Sequence, residues 1–210
     1  TVQSDDYRSS FTGVLNSTEY VGTFEKLITL DLKSAKDGVF ITGVELNNGS
    51  IINAEAGVDI KIAVRNESGG NTAGIVANNI HNANWGKKNP STIKLGGASS
   101  ITINAADSLW AGGINIWGDG TYGVNDQGSS RLEGTDLTIR INKDFADTLE
   151  RGLGVNVGNG SIVELSGDLD AFVQTTDWAY GVRARNNGKL TVGGNAVLEA
   201  VSYTHLRAHE

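Results

Sequence analysis

The chain contains no cysteine and no methionine, and Pro90 is its only proline in 210 residues. Without cysteine there is no disulfide framework, no thiol nucleophile and no thiolate metal site, an absence that suits a cytosolic protein as well as an exported one. Histidine is almost as scarce. His205 and His209 lie close to the end of the sequence, and His81 lies in Asn79-Ile80-His81-Asn82-Ala83-Asn84-Trp85 with no second metal ligand at a usual spacing. Serine–histidine and zinc mechanisms therefore have no candidate constellation, and His81 reads as a solvated loop residue. No apolar run is long enough to span a membrane, so this segment is not expected to insert into a bilayer. Net charge is −7, and the small basic groups Lys87-Lys88 and Arg183 with Arg185 make no stripe. Nucleic acid is not an expected partner, and anionic polymers should be repelled.

What the chain does have is glycine, 28 residues and roughly twice the usual share. Five of these glycines precede Ile or Val in the same setting: Gly43-Val44, Gly74-Ile75, Gly113-Ile114, Gly154-Val155 and Gly181-Val182, followed two residues on by Leu46, Ala77, Ile116, Val157 and Ala184. Recurrence at intervals of tens of residues marks a stacked repeat protein. Sliding the chain from Gly154 to Gly181 places Val155, Val157, Val163, Leu165, Leu169, Ala171 and Val173 on Val182, Ala184, Leu190, Val192, Ala196, Leu198 and Ala200. Within each short run the apolar residues alternate, which is the period of a β-strand.

Earlier copies keep the pattern with insertions: Ile52, Ala54, Val58, Ile60 and Ile62; Ile93, Leu95, Ile101 and Ile103; Leu132, Leu137, Ile139 and Ile141. Each unit reads as three short strands. Corners recur as Asn47-Asn48-Gly49, Gly158-Asn159-Gly160 and Asn186-Asn187-Gly188, residues that accept positive backbone angles. A second corner repeats as Ala106-Asp107-Ser108-Leu109 and Ala146-Asp147-Thr148-Leu149, with Thr176-Asp177-Trp178 a looser copy. The expected fold is all-β, a single parallel β-helix (β-solenoid) of about five to six irregular coils. The competing reading is a β-sandwich, for which short alternating strands with Asn-Gly turns also serve.

Two functional classes compete on this scaffold. Polysaccharide-degrading β-helix enzymes act through clustered carboxylates, and the best such cluster is Asp168 and Asp170, two apart on a strand, with Asp177 near. Their usual neighbours (Asn-Thr-Asp with Asp-Asp, Gly-His-Gly, Arg-Ile-Lys) are missing, and the bland reading is a hydrated outward face. The Gly- and Asp-rich run Trp117 to Asp126 resembles a calcium nonapeptide but lacks tandem copies, so neither metal nor cofactor is expected. The other class is a binding surface. Insertions at 80–92 and 118–130 lengthen two units, and Trp85, Trp117 and Tyr122 lie in or beside them as candidate contacts to a glycan or a protein partner. The alternative is that Trp110, Trp178 and Trp117 cover the core. A third reading, self-association, needs a flat ladder of outward residues that the mixed outward positions do not offer.

The run Gly154-Val155-Asn156-Val157-Gly158-Asn159-Gly160-Ser161-Ile162-Val163-Glu164-Leu165-Ser166-Gly167, with its degenerate copies over about residues 38–200, resembles the passenger region of bacterial autotransporters. The resemblance implies a right-handed β-helix exported to the cell surface by type V secretion through a C-terminal outer-membrane β-barrel, where it acts as a non-enzymatic adhesin or display stalk on host glycan or surface protein. Lack of cysteine fits passage of an unfolded chain through a narrow pore. Residues 1–37 repeat the pattern only loosely, around Leu27, Ile28, Leu30 and Leu32, and are expected to form a degenerate coil or cap. The segment 201–210 abandons the pattern and resembles translated sequencing adapter. Together with a start at Thr1 in a polar stretch, it leads to the expectation of a fragment from metagenomic or draft-genome assembly.

Overall fold

A computed structural model describes residues 10–17, 20–34, 40–47, 49–65, 71–78, 90–117, 130–143 and 149–202. The strands in chain order are β1 (Ser10–Ser17), β2 (Val21–Phe24), β3 (Ile28–Ser34), β4 (Phe40–Asn47), β5 (Ile51–Ala54), β6 (Val58–Arg65), β7 (Asn71–Asn78), β8 (Thr92–Leu95) and β9 (Ser99–Ala106). They continue as β10 (Ser108–Trp117), β11 (Arg131–Gly134), β12 (Leu137–Ile141), β13 (Leu149–Gly158), β14 (Ile162–Leu165), β15 (Leu169–Thr175), β16 (Trp178–Arg185), β17 (Lys189–Val192) and β18 (Ala196–Ser202). No helix occurs among the described residues.

Every third strand returns to the same sheet, giving three six-stranded sheets: β1-β4-β7-β10-β13-β16, β2-β5-β8-β11-β14-β17 and β3-β6-β9-β12-β15-β18. Neighbours within each sheet are parallel throughout. A sandwich of hairpins would need antiparallel pairs, so the arrangement fits a parallel β-solenoid and not that alternative.

The register explains the repeat. Val14, Val44, Ile75, Ile114, Val155 and Val182 form one column across the first sheet. The copy at Gly13-Val14 was not among the five read from sequence, because the position two residues on is Asn16 rather than an apolar residue. All seven pairs from the Gly154-to-Gly181 slide are strand partners. Leu30, Ile60, Ile101, Ile139, Ala171 and Leu198 make a second column. Strand alternation sends these residues inward, where Ile60, Ile101 and Ile139 are fully buried, and the branched side chains fill a continuous core.

Corners also stack. Ser50, Ser91, Ser130 and Ser161 are all buried and stand immediately before β5, β8, β11 and β14. Their carbonyls accept N–H groups from Thr92, Arg131, Ile162 and Lys189 of the following layer. Positive φ occurs where the corner residues suggested it, at Gly49, Asn159, Gly160, Asn186 and Asn187, and also at Asp107. Residues 10–34 supply β1 to β3 of the same three sheets, and Val201 and Ser202 extend β18 beside Gln174 and Thr175. His81, Trp85, Tyr122, the Gly- and Asp-rich run after Trp117, and residues 203–210 lie outside the described residues.

Candidate functional site

The outer face of the first sheet, where β10, β13 and β16 run side by side, gathers polar and aromatic residues into register. On β10, Ile114 and Ile116 face the core and are buried, so Asn115 and Trp117 face outward. Pairing then places Asn115 beside Asn156 and Arg183, Trp117 beside Gly158 and Arg185, and Trp110 beside Arg151 and Trp178. All of these but Gly158, with Leu109, line a trough of about 510 Å³.

Its floor is an amide ladder. Asn156 Nδ2 donates to Asn115 Oδ1 at 2.7 Å, and Arg183 Nε donates to Asn156 Oδ1 at 3.1 Å. Asn156 is buried, so these bonds offset the cost of removing its amide from water.

The walls pair indoles with guanidiniums. Gly158 leaves room for the Trp117 ring, which a Cβ at that position would meet at 2.7 Å. The Arg185 guanidinium carbon lies 4.3 Å from the centroid of that ring. Across the trough, Arg151 and Arg183 lie 5.9 Å and 5.6 Å from the Trp178 ring, and Tyr180 meets Trp178 edge-on at 5.2 Å. Distances below about 6 Å are those of cation–π attraction. Trp110 folds along its own strand over Gly112, where a Cβ would meet the ring at 2.5 Å.

Burial, and then the charge of Arg185, lower the pKa of the Arg183 guanidinium. Arg151 reaches Asp177 at 3.5 Å, whereas Arg183 and Arg185 form no ion pair with a carboxylate among the described residues.

The three candidate carboxylates have separate partners. Asp168 lies in the corner before β15, where its Oδ1 accepts the Asn195 N–H at 2.7 Å, just as Asp136 Oδ1 accepts the Asp168 N–H at 2.8 Å. Asp170 on β15 pairs with Arg140 on β12, which also donates to the Ile139 and Asp170 carbonyls. Asp177 alone reaches the trough, through Arg151. Asp170 is 45% exposed, so solvent screens its pair. Asp170→Asn is expected to lower stability by less than about 1 kcal/mol, with a smaller effect at high salt, in urea titrations.

Among the described residues, no group of three or more His, Asp or Glu side chains is placed to hold a metal ion. Of the aromatic candidates, Trp117 lines the trough as a platform for Arg185, while Trp85 and Tyr122 fall outside the described residues. The insertions carrying those two residues leave from strand ends that are register partners, Asn78 and Trp117. The sequence pattern does not single out Arg151, and it offers Trp110 and Trp178, with Trp117, only under the alternative of core covers. Reading outward residues in columns across the repeat would have brought all three together. The chain matches no protein family, no curated protein and no solved structure.

Proposed function

We propose that the chain is a segment of a non-enzymatic bacterial surface protein, an autotransporter passenger folded as a right-handed β-helix of about five to six irregular coils, whose work is display and adhesion. The observation that carries this reading is the trough on the outer face of β10, β13 and β16, held on a stack whose ladder hydrogen bonds make a stiff frame. Two insertions that leave from paired strand ends support it, because loops growing from one side of a solenoid commonly form its binding face. The resemblance of residues 38–200 to passenger repeats supplies the cell-surface location and an outer-membrane β-barrel as export partner.

The partners of Asp168 and Asp170 weigh against the alternative, a pectinase-like glycosidase or lyase. Their oxygens hold a corner amide and an arginine rather than converging on the trough.

The test is incubation of the purified chain with immobilised neutral and acidic glycans and surface proteins, alongside an assay for cleavage of the same polysaccharides. Saturable binding is expected, lowered at least tenfold in Trp110→Ala/Trp178→Ala, without release of new sugar ends. Cleavage products would replace this reading with the enzyme, and absence of binding to every ligand class would end the adhesin reading.

A further inference from the structure

We infer that the trough takes a linear acidic polysaccharide, and that a uronate carboxylate is held at the level of β16 by Arg183 and Arg185. The inference rests on the reading of this face as a binding surface.

Each guanidinium lies near an indole, Arg185 at Trp117 and Arg183 at Trp178. A planar cation on an aromatic face keeps its in-plane N–H donors for a second partner, and those donors match a carboxylate in a bidentate fork. Arg183 gives Nε to Asn156, and Arg185 bonds no side chain among the described residues. The indoles therefore act chiefly as platforms that order the arginines before a ligand arrives, which lowers the entropy lost on binding.

Charge sets the sign of the partner. The chain carries −7 overall, yet Arg151, Arg183 and Arg185 converge on one trough with Asp177 as the carboxylate that pairs there. An anionic ligand also relieves the mutual repulsion that helps lower the Arg183 pKa.

Shape favours a sugar chain. The rows Asn115–Asn156–Arg183 and Trp110–Arg151–Trp178 run across the strands, along the direction of stacking. Successive strands are about 4.8 Å apart, close to the repeat of one pyranose ring in an extended polysaccharide. The Asn115 amide on the floor and the Trp110 ring supply a hydroxyl partner and an apolar face for the sugar. Single-stranded nucleic acid also combines charge with stacking, but two of the three indoles here already lie against arginines.

The probe is hyaluronan oligosaccharide against its carboxyl methyl ester, titrated into the purified chain, with dextran sulfate, neutral dextran and a single-stranded oligonucleotide as separate arms. The acid form is expected to bind at least tenfold more tightly than the ester. Arg183→Gln/Arg185→Gln is expected to abolish that difference while the variant keeps a cooperative thermal transition, lowered only by loss of the Arg183–Asn156 bond. Trp117→Phe is expected to retain most of the preference and Trp117→Ala to lose it. Equal binding of acid and ester, or binding of neutral dextran alone, would overturn the inference and leave the adhesin reading standing. Tighter binding of dextran sulfate or of the oligonucleotide would overturn the uronate assignment in favour of those ligands. Binding of no probe, combined with binding to a surface protein, would also overturn it while sparing the adhesin.

Discussion

Gly113→Ala is expected to lower stability by about 3 kcal/mol, read as a fall in the urea midpoint at constant slope. The glycine preceding the Ile or Val is not there for a left-handed backbone, since φ is positive at other glycines and not at this one. Close approach decides it. A Cβ on Gly113 would meet the Gly154 carbonyl oxygen at 2.7 Å and Ile139 Cγ2 at 2.7 Å, one a backbone atom in the next strand and the other in the middle of the core. Neither neighbour can give way without moving a strand or displacing a side chain in the isoleucine column. Gly43 and Gly74 meet the next glycine's carbonyl in the same way, at 2.5 Å and 2.6 Å, so relaxing one layer presses on another.

Gly134→Ala is the matched control. Its nearest contact is Leu165 Cδ2 at 3.0 Å, the movable end of a side chain, and reduced entropy of the unfolded chain offsets part of the cost. A loss below about 1 kcal/mol is expected there. Equal losses at the two positions would show that the glycine row is not a packing constraint.

Asn142→Ala is expected to cost about 4 kcal/mol, and Asn142→Gly about 3. β12 stops at Ile141 while its neighbour β9 runs on to Ala106, so the edge of β9 that faces β12 would be left without a partner at Ala105, whose other edge pairs with β6. The Asn142 side chain takes the place of the missing strand. Its Oδ1 accepts the Ala105 N–H at 2.7 Å, its Nδ2 donates to the Ala105 carbonyl at 2.8 Å, and its own backbone N–H donates to Ile103 O at 2.8 Å. The residue is 1% exposed, so water does not replace what is lost. Glycine removes both side-chain bonds but accepts the φ of +54°; alanine removes both and adds left-handed strain. Hydrogen exchange at the Ala105 amide gives a direct readout, with faster exchange expected in both variants. Unchanged protection there would mean that the amide is not replacing a strand.

The sequence disclosed the fold well because inward residues obey a short rule. Once Gly154 is laid on Gly181, alternation alone assigns the neighbours of Val163, Leu169 and Val173. Insertions hid the same relation elsewhere: Asn115 finds Asn156 at a separation of 41 residues, whereas Asn156 finds Arg183 at 27. The buried serines offered a further marker, since Ser50, Ser91, Ser130 and Ser161 each stand two residues before Ile52, Ile93, Leu132 and Val163. Outward positions obey no such rule. Trp110, Arg151 and Trp178 differ in type along their row, so no repeat search selects them, and the net charge of −7 concealed a local cluster of opposite sign. Asn142 was equally invisible, because a side chain imitating a strand leaves no periodic trace.

The order of the sheets has a consequence for how the chain acquires its structure. Each strand is bonded only to the strands three before and three after it in sequence. Nothing near one end must wait for the other, and the longest loop to be closed in forming a pair is far shorter than the chain. Assembly can therefore advance layer by layer, each completed layer serving as the template for the next. A chain delivered gradually, whether from a ribosome or through a pore, can fold at the rate of its delivery.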